Sequence, residues 1–165
     1  MNTKVKAVPE GFQSVTPSLT LKDSKKALEF YQKAFRATVL DVFPAPDGRR
    51  TMHATIRIGN SILMMGDEMP GSGCQSAESL DTTPISLYVY VPDADAVFRQ
   101  ALAAGATATM PVADMFWGDR CGMLQDPFGY AWMIATHTRD LTQKEILQGA
   151  RAFFEKAGNQ KSSND

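Results

Sequence analysis

The chain is poor in the residues that build covalent or metal-held scaffolds. Two cysteines, Cys74 and Cys121, and two histidines, His53 and His137, are all that its 165 residues contain. That supply is too small for a disulfide framework, and no CxxC, HxH or HxxxH spacing offers a close pair of zinc ligands. Long apolar runs are missing as well. None approaches the ~20 residues that span a bilayer, so no membrane partner is expected. Nor is there an excess of one charge. The 17 Lys and Arg against 18 Asp and Glu leave a net −1, which gives no general pull toward nucleic acid. The opening MNTKVKAVPEGFQ has no apolar signal-peptide core, and the expectation is a cytoplasmic protein with reduced thiols. Neither a GxSxG nucleophile motif nor a phosphate-cradling glycine loop occurs.

What the chain does have is an internal echo. Asp23 precedes one amphipathic segment and Asp93 another, 70 positions on; Gly59 opens NSILMM and Gly129 opens YAWMIA, again 70 apart. Two marks at one offset point to a duplicated module, and two copies are too few for a solenoid. In the first copy VTPSLTL alternates like a half-buried strand. Asp23 or Ser24 then caps a helix with Leu28, Tyr31 and Phe35 on one side. ATVLDVF, RTMHATIRI and SILMM follow as strands, with Gly59-Asn60 as a two-residue hairpin turn. The second copy repeats the order from PISLYVYV onward. Each module therefore reads β-α-β-β-β.

The expected fold is α+β, with two tandem βαβββ modules making a cup-shaped curved mixed sheet, helices outside, and a C-terminal helix. Residues 1–12 are read as a flexible arm, 13–68 as the first module, 69–82 as a Gly/Ser/Pro-rich linker and 83–140 as the second module. Thr142 and Glu145 form a capping box for a helix over 141–158 that ends at Gly158, and 159–165 read as a disordered polar tail.

The duplicated module, with DPFG at 126–129 turning into the last strand, resembles the vicinal-oxygen-chelate superfamily of glyoxalases, bleomycin-resistance proteins and extradiol dioxygenases. MHATIRIGNSILMMGDE, WGDRCGMLQDPFG and ATH resemble its PhnB-like branch more closely. The resemblance covers about residues 13–140. It implies a ligand-binding cup whose clefts commonly lie between modules of two chains, hence a homodimer, with exchanged modules as one form. It also implies four metal-ligand positions on the inner face. Aligned by these motifs, they fall on Thr16, Leu63, Ser86 and Met133.

Two hydroxyls, an aliphatic chain and a thioether are a poor donor set for zinc, nickel or iron, which take imidazole, carboxylate or thiolate. No metal and no cofactor is therefore expected. By strand alternation, Thr16, Ser18 and Thr20 share one face, and Ser86, Tyr88 and Tyr90 share its counterpart, with Leu63 and Met133 assigned beside them. A mainly apolar wall with a few placed polar groups suits a small-molecule pocket. Filling of the cup by its own side chains is the competing reading. His53, on the strand RTMHATIRI, is a candidate catalytic base or a hydrogen-bonded structural histidine. His137, at the end of the last strand, carries the same two readings. In MFWGDRCG, Trp117 offers a stacking surface and Arg120 an acid-pairing group, or the segment is simply a turn. The leading functional reading is a metal-free binder that sequesters an aromatic metabolite or antibiotic of neutral or weak charge. The alternative is an enzyme of the same fold, a lyase, isomerase or dioxygenase, using an atypical metal site through His53 and His137 or metal-independent acid–base chemistry through His53.

Overall fold

A computed structural model describes residues 5–161. The first module comprises β1 (Ser18–Leu21), α1 (Ser24–Phe35), β2 (Thr38–Pro44), β3 (Thr51–Ile58) and β4 (Ser61–Asp67). A short helix α2 (Ala77–Leu80) lies between the modules. The second module comprises β5 (Ser86–Tyr90), α3 (Ala94–Ala104), β6 (Thr107–Asp114), β7 (Asp119–Gln125) and β8 (Ala131–His137), and α4 (Gln143–Lys161) follows. Each module folds into its own four-stranded mixed sheet, ordered β1-β4-β3-β2 and β5-β8-β7-β6, with the edge strand β1 or β5 parallel to its neighbour.

The two modules start their helices in the same way. The Asp23 carboxylate accepts from the Lys26 amide at 3.1 Å, and Asp93 accepts from Ala96 at 2.9 Å, satisfying N–H groups that a helix end leaves bare. Apolar residues every third or fourth position then turn Leu28, Tyr31 and Phe35 of α1, and Phe98 and Ala101 of α3, into the interior. The helices pack against each other and against the inward faces of both sheets, so one core holds Leu19, Ile56, Leu63 and Met65 together with Leu124, Trp132 and Ile134.

Within that core a single carboxylate ties the modules. Asp126, 4% exposed, accepts from the Tyr31 hydroxyl and the Trp132 indole N–H, both at 2.8 Å, and from the amides of Phe128 and Tyr130, both at 2.9 Å. Tyr31 belongs to the first module and the other three donors to the second. Two further links cross the same boundary. The Tyr130 hydroxyl donates to the Thr20 carbonyl at 2.7 Å, and the Gln100 amide donates to the carbonyls of Lys33 and Ala34 at the end of α1.

Several boundaries differ from the sequence reading. β1 begins at Ser18 rather than Val15, because Val15 is 84% exposed and has no apolar surface to cover it. The linker contains α2, capped by the Ser76 hydroxyl on the Ser79 amide and held through the Ser76 amide to Glu68 at 2.6 Å. The bond from the Ser76 amide, with hydrogen bonds from the Ser79 and Ser76 side chains, holds the Glu68 carboxyl down at about 2. α4 passes through Gly158 to Lys161, so the first part of the expected tail is helical; residues 162–165 and 1–4 lie outside the described residues. Gly149 lets α4 approach Phe116, where an added Cβ would come within 2.8 Å of the Phe116 Cβ. Phe153 and Phe154 flank that contact, with ring centroids 5.6 and 6.4 Å from Phe116.

Replacing Asp126 with alanine should strand the Tyr31 hydroxyl and Trp132 indole without partners, at ~1–3 kcal/mol for each buried donor. The expected loss is therefore about 2–6 kcal/mol of unfolding free energy, read from the urea midpoint. A change below about 1 kcal/mol would show that Asp126 does not tie the modules together.

Candidate functional site

Strand register decides which side chains share the faces turned away from the helices. In the second sheet, Tyr88 lies opposite Met133 and Tyr90 opposite Ala135; Met123 lies opposite Met133 and Cys121 opposite Ala135. Ser86, Tyr88, Tyr90, Met133, Met123 and Cys121 therefore stand on one face, with Met110 registered beside Met123. Tyr88 is 44% and Tyr90 62% exposed, so this face is open.

At its centre is Asp119, the first residue of β7. It is 3% exposed and has four donors. Its Oδ2 accepts from the hydroxyls of Tyr88 and Tyr90 at 2.9 and 3.0 Å and from the Trp117 indole at 3.1 Å. Its Oδ1 meets His137 Nδ1 at 2.8 Å, and His137 Nε2 lies 3.0 Å from Asp140. Burial pushes the Asp119 carboxyl upward, but the bonds from His137 and the three aromatic donors outweigh it, and the carboxyl stays below its ordinary range. His137, between Asp140 and Asp119, is raised above the ordinary imidazole value, with Asp140 the larger influence. Burial and the Asp119 bond lift the Tyr88 phenol far above its usual range. The result is an ionised carboxylate, a histidine clasped between two carboxylates, and two phenols that keep their protons.

The turn that presents these groups depends on Gly118. Its φ of +100° is a left-handed conformation that favours glycine, and a Cβ there would collide with the Arg139 carbonyl. That turn also carries Trp117, which packs beside Met133, Met110 and the buried Cys121.

The first sheet presents a less connected face. His53 Nε2 lies 3.0 Å from the Thr55 hydroxyl and 3.9 Å from Asp41 Oδ1, an oxygen that is buried with no hydrogen-bond partner. Phe43 stacks on the His53 ring at 6.2 Å. Ser18 lies opposite Met64 on the same side. A groove of about 890 Å³ runs along β5 between the modules, lined by Tyr88 and Tyr90, by Leu87, Val89 and Val91, and by Arg36 and Arg57.

The sequence-selected residues divide clearly. Ser86, Tyr88, Tyr90 and Met133 stand together, with Trp117 tied to them through Asp119. Ser18 and His53 lie on the other sheet's open face. Leu63 is a correction as to its face: it is 5% exposed and packs in the core opposite Ile56, at the wall of the groove, and its neighbour Met64 holds the place equivalent to Met133. The shared glycine offset misleads because Gly59 is the first of two turn residues, between Ile58 and Ser61, whereas Gly129 is the fourth of five between Gln125 and Ala131. Thr16 is a second correction. It precedes β1 and donates to the Gln13 carbonyl at 3.3 Å, lining the groove rather than the sheet. Arg120 is a third. It lies opposite Thr136, away from the tyrosines, and its guanidinium holds Asp95 at 2.6 and 2.8 Å and Asp114 at 3.3 Å. The Asp119 hub was missed, although alternation through Asp119, Cys121 and Met123 places it on the open face.

Comparison with known proteins agrees with this architecture. The family model described as Glyoxalase/Bleomycin resistance protein/Dioxygenase superfamily matches residues 12–134. The chain belongs to that superfamily. An uncharacterized protein of Mycobacterium tuberculosis H37Rv, Rv0887c, is 38% identical over 136 residues, covering 81% of this chain and 79% of its own. Among solved structures, TioX from Micromonospora sp. ML1 superposes with a TM-score of 0.61 at 27% identity, covering 76% of this chain and 98% of TioX. A PhnB protein from Bacillus cereus gives 0.60 at 22%, with coverages of 75% and 99%. FosX, a fosfomycin resistance protein from Listeria monocytogenes complexed with Mn(II) and sulfate, gives 0.57 at 15%, with coverages of 82% and 97%.

The superfamily implies a metal on the inner face. Here the places that register defines there hold Ser18, Met64, Tyr88 and Met133. Hydroxyl, phenol and thioether groups do not fit a hard dication. No cluster of three or more His, Cys, Asp or Glu able to hold a metal occurs among the described residues.

The His137 clasp has a pH signature. A raised folded-state value means that its contribution to stability is complete below the ordinary imidazole range and is lost as pH rises through the folded midpoint. In a proton NMR titration the His137 ring should titrate above 6.5, and Asp140→Asn should lower that midpoint. A His137 midpoint at or below 6.5 in the wild-type protein would contradict the clasp.

Proposed function

We propose that this protein is a metal-independent small-molecule binder, sequestering an aromatic metabolite or antibiotic in a cup completed by a second copy of the chain. The observation that carries this reading is the pairing of Tyr88 and Tyr90, held at their hydroxyls by Asp119 yet open on their ring faces. Fixed aromatic rings beside the thioethers of Met133 and Met123 make a surface that gains little from water and much from a flat apolar partner. The family description includes bleomycin resistance proteins, and FosX is a fosfomycin resistance protein; both support a resistance role. The dimer rests on the two open sheet faces. Phe43 is 52% exposed on the first module, and the tyrosines are bare on the second. A partner's sheet placed over them would shield both.

The runner-up reading is an enzyme using His53 for acid–base chemistry. It is favoured by one feature, the unpartnered Asp41 oxygen 3.9 Å from His53.

Thermal-shift screening of the untagged protein against aromatic metabolites and antibiotics should find a stabilising molecule. At 100 times its dissociation constant such a ligand adds ~2.7 kcal/mol. Metal analysis of the same preparation should give no stoichiometric zinc, nickel, iron or manganese, and sedimentation should give twice the chain mass. Stoichiometric metal lost in His53→Ala would sink the binder reading in favour of the enzyme.

A further inference from the structure

Asp119 does more than anchor its neighbours, because its two oxygens are used asymmetrically. Oδ2 receives Tyr88, Tyr90 and Trp117, while His137 sits on Oδ1. The imidazole is thus confined to one side of the carboxylate, and three aromatic rings fan out from the other. Tyr88 and Tyr90 have centroids 5.0 Å apart at 39°, which leaves them tilted rather than stacked face to face. A phenol donating to a carboxylate gains electron density in its ring, and an electron-rich ring attracts cations through its face.

The surrounding charges reinforce this polarity. His137 is itself shared with Asp140, so the connected group sets two carboxylates against one imidazole. Arg120, the cation next in sequence, is turned to the opposite face and consumed by Asp95 and Asp114. The tyrosines also line the groove along β5, which is lined as well by Leu87, Val89 and Val91 on the other face of that edge strand.

We propose that the Tyr88–Tyr90–Trp117 fan, backed by Asp119, selects organic cations: molecules with a flat or apolar body and one delocalised or quaternary positive charge. The inference rests on the small-molecule reading above and narrows it. It also replaces the sequence-based expectation of a neutral or weakly charged ligand, since net charge describes the whole surface and not the local field at Tyr88 and Tyr90. Arg36 and Arg57 line the same groove, so a cation placed away from the fan meets two guanidinium groups. The site therefore discriminates by where the charge sits in the ligand.

Two probes of one shape isolate the charge: N-methylquinolinium, and 1-methylnaphthalene as its neutral counterpart, each titrated calorimetrically into the full chain. The cation should bind about tenfold more tightly or better, and Tyr88→Leu with Tyr90→Leu should abolish that preference. Both rings are exposed, and circular dichroism melting checks that the double variant folds. Equal or tighter binding of 1-methylnaphthalene overturns the inference, as does a preference that survives the double variant. If neither probe binds but another molecule stabilises the protein in the thermal screen, the cation inference falls alone. If nothing stabilises it, both readings fall.

Discussion

Everything in this fold is arranged around one buried carboxylate. Asp126 is removed from water at a cost that only hydrogen bonds can offset, and burial still holds its proton more tightly than usual. Four donors converge on it, one from α1 and three from the turn and strand that end the second module. Tyr31 and Trp132, the two side-chain donors, also pack their rings tilted against each other at 5.4 Å, and Phe35 approaches Trp132 at 4.5 Å. The polar tie and the aromatic packing are thus made by the same side chains. Losing one loosens the other, which is the behaviour expected of a cooperative network rather than of independent contacts.

A second carboxylate, Asp119, repeats that scheme on the opposite face of the same sheet. It too is buried and has four donors, two of them tyrosine hydroxyls and one an indole. The difference lies in where the rings go. Around Asp126 they are covered, with Tyr31 and Trp132 at 0 and 2% exposure. Around Asp119 the rings of Tyr88 and Tyr90 face outward. The first arrangement consumes its aromatic surface in folding. The second fixes the side-chain rotamers in advance and leaves the surface unused, and such preorganisation lowers the entropy lost when something binds. The imidazole clasp of His137 on the other oxygen stabilises the buried charge without occupying the ring faces.

Much of this was legible in the chain. The repeat, the two Asp caps and the alternation PISLYVYV set out the modules, and parity alone put Tyr88 and Tyr90 on one face. What failed was the transfer of one register through a turn. A single glycine was used as the marker, but Gly59 and Gly129 serve turns of different length, and a slip of one residue reverses the faces of Leu63 and Met64. Thr16 failed for another reason: alternation is a property of paired strands, and this residue lies before the pairing begins. Arg120 was misread because its partners Asp95 and Asp114 lie on α3 and β6, distant in sequence, so its saturation is visible only in three dimensions. Asp119 is the instructive omission. Its parity was available, but a carboxylate beside an arginine reads locally as an ion pair, whereas its actual partners lie 31, 29, 18 and 2 positions away.

The relation to metal-using members of the superfamily can be put in electrostatic terms. A dication on the inner face needs anionic or imidazole donors pointing into the cup. In this chain Asp119, an anion on that face, is 3% exposed and already engaged by Tyr88, Tyr90, Trp117 and His137. The registered positions on the edge and adjoining strands carry Ser18 and Met64 in one module, Tyr88 and Met133 in the other. Negative charge is therefore present at the site but is expressed through aromatic rings. A bare ion would still have to give up its water for a surface that cannot replace it. On the proposed reading, a larger, weakly hydrated partner would give up little and gain contact with the exposed rings, which is why the same positions suit an organic ligand better than an ion.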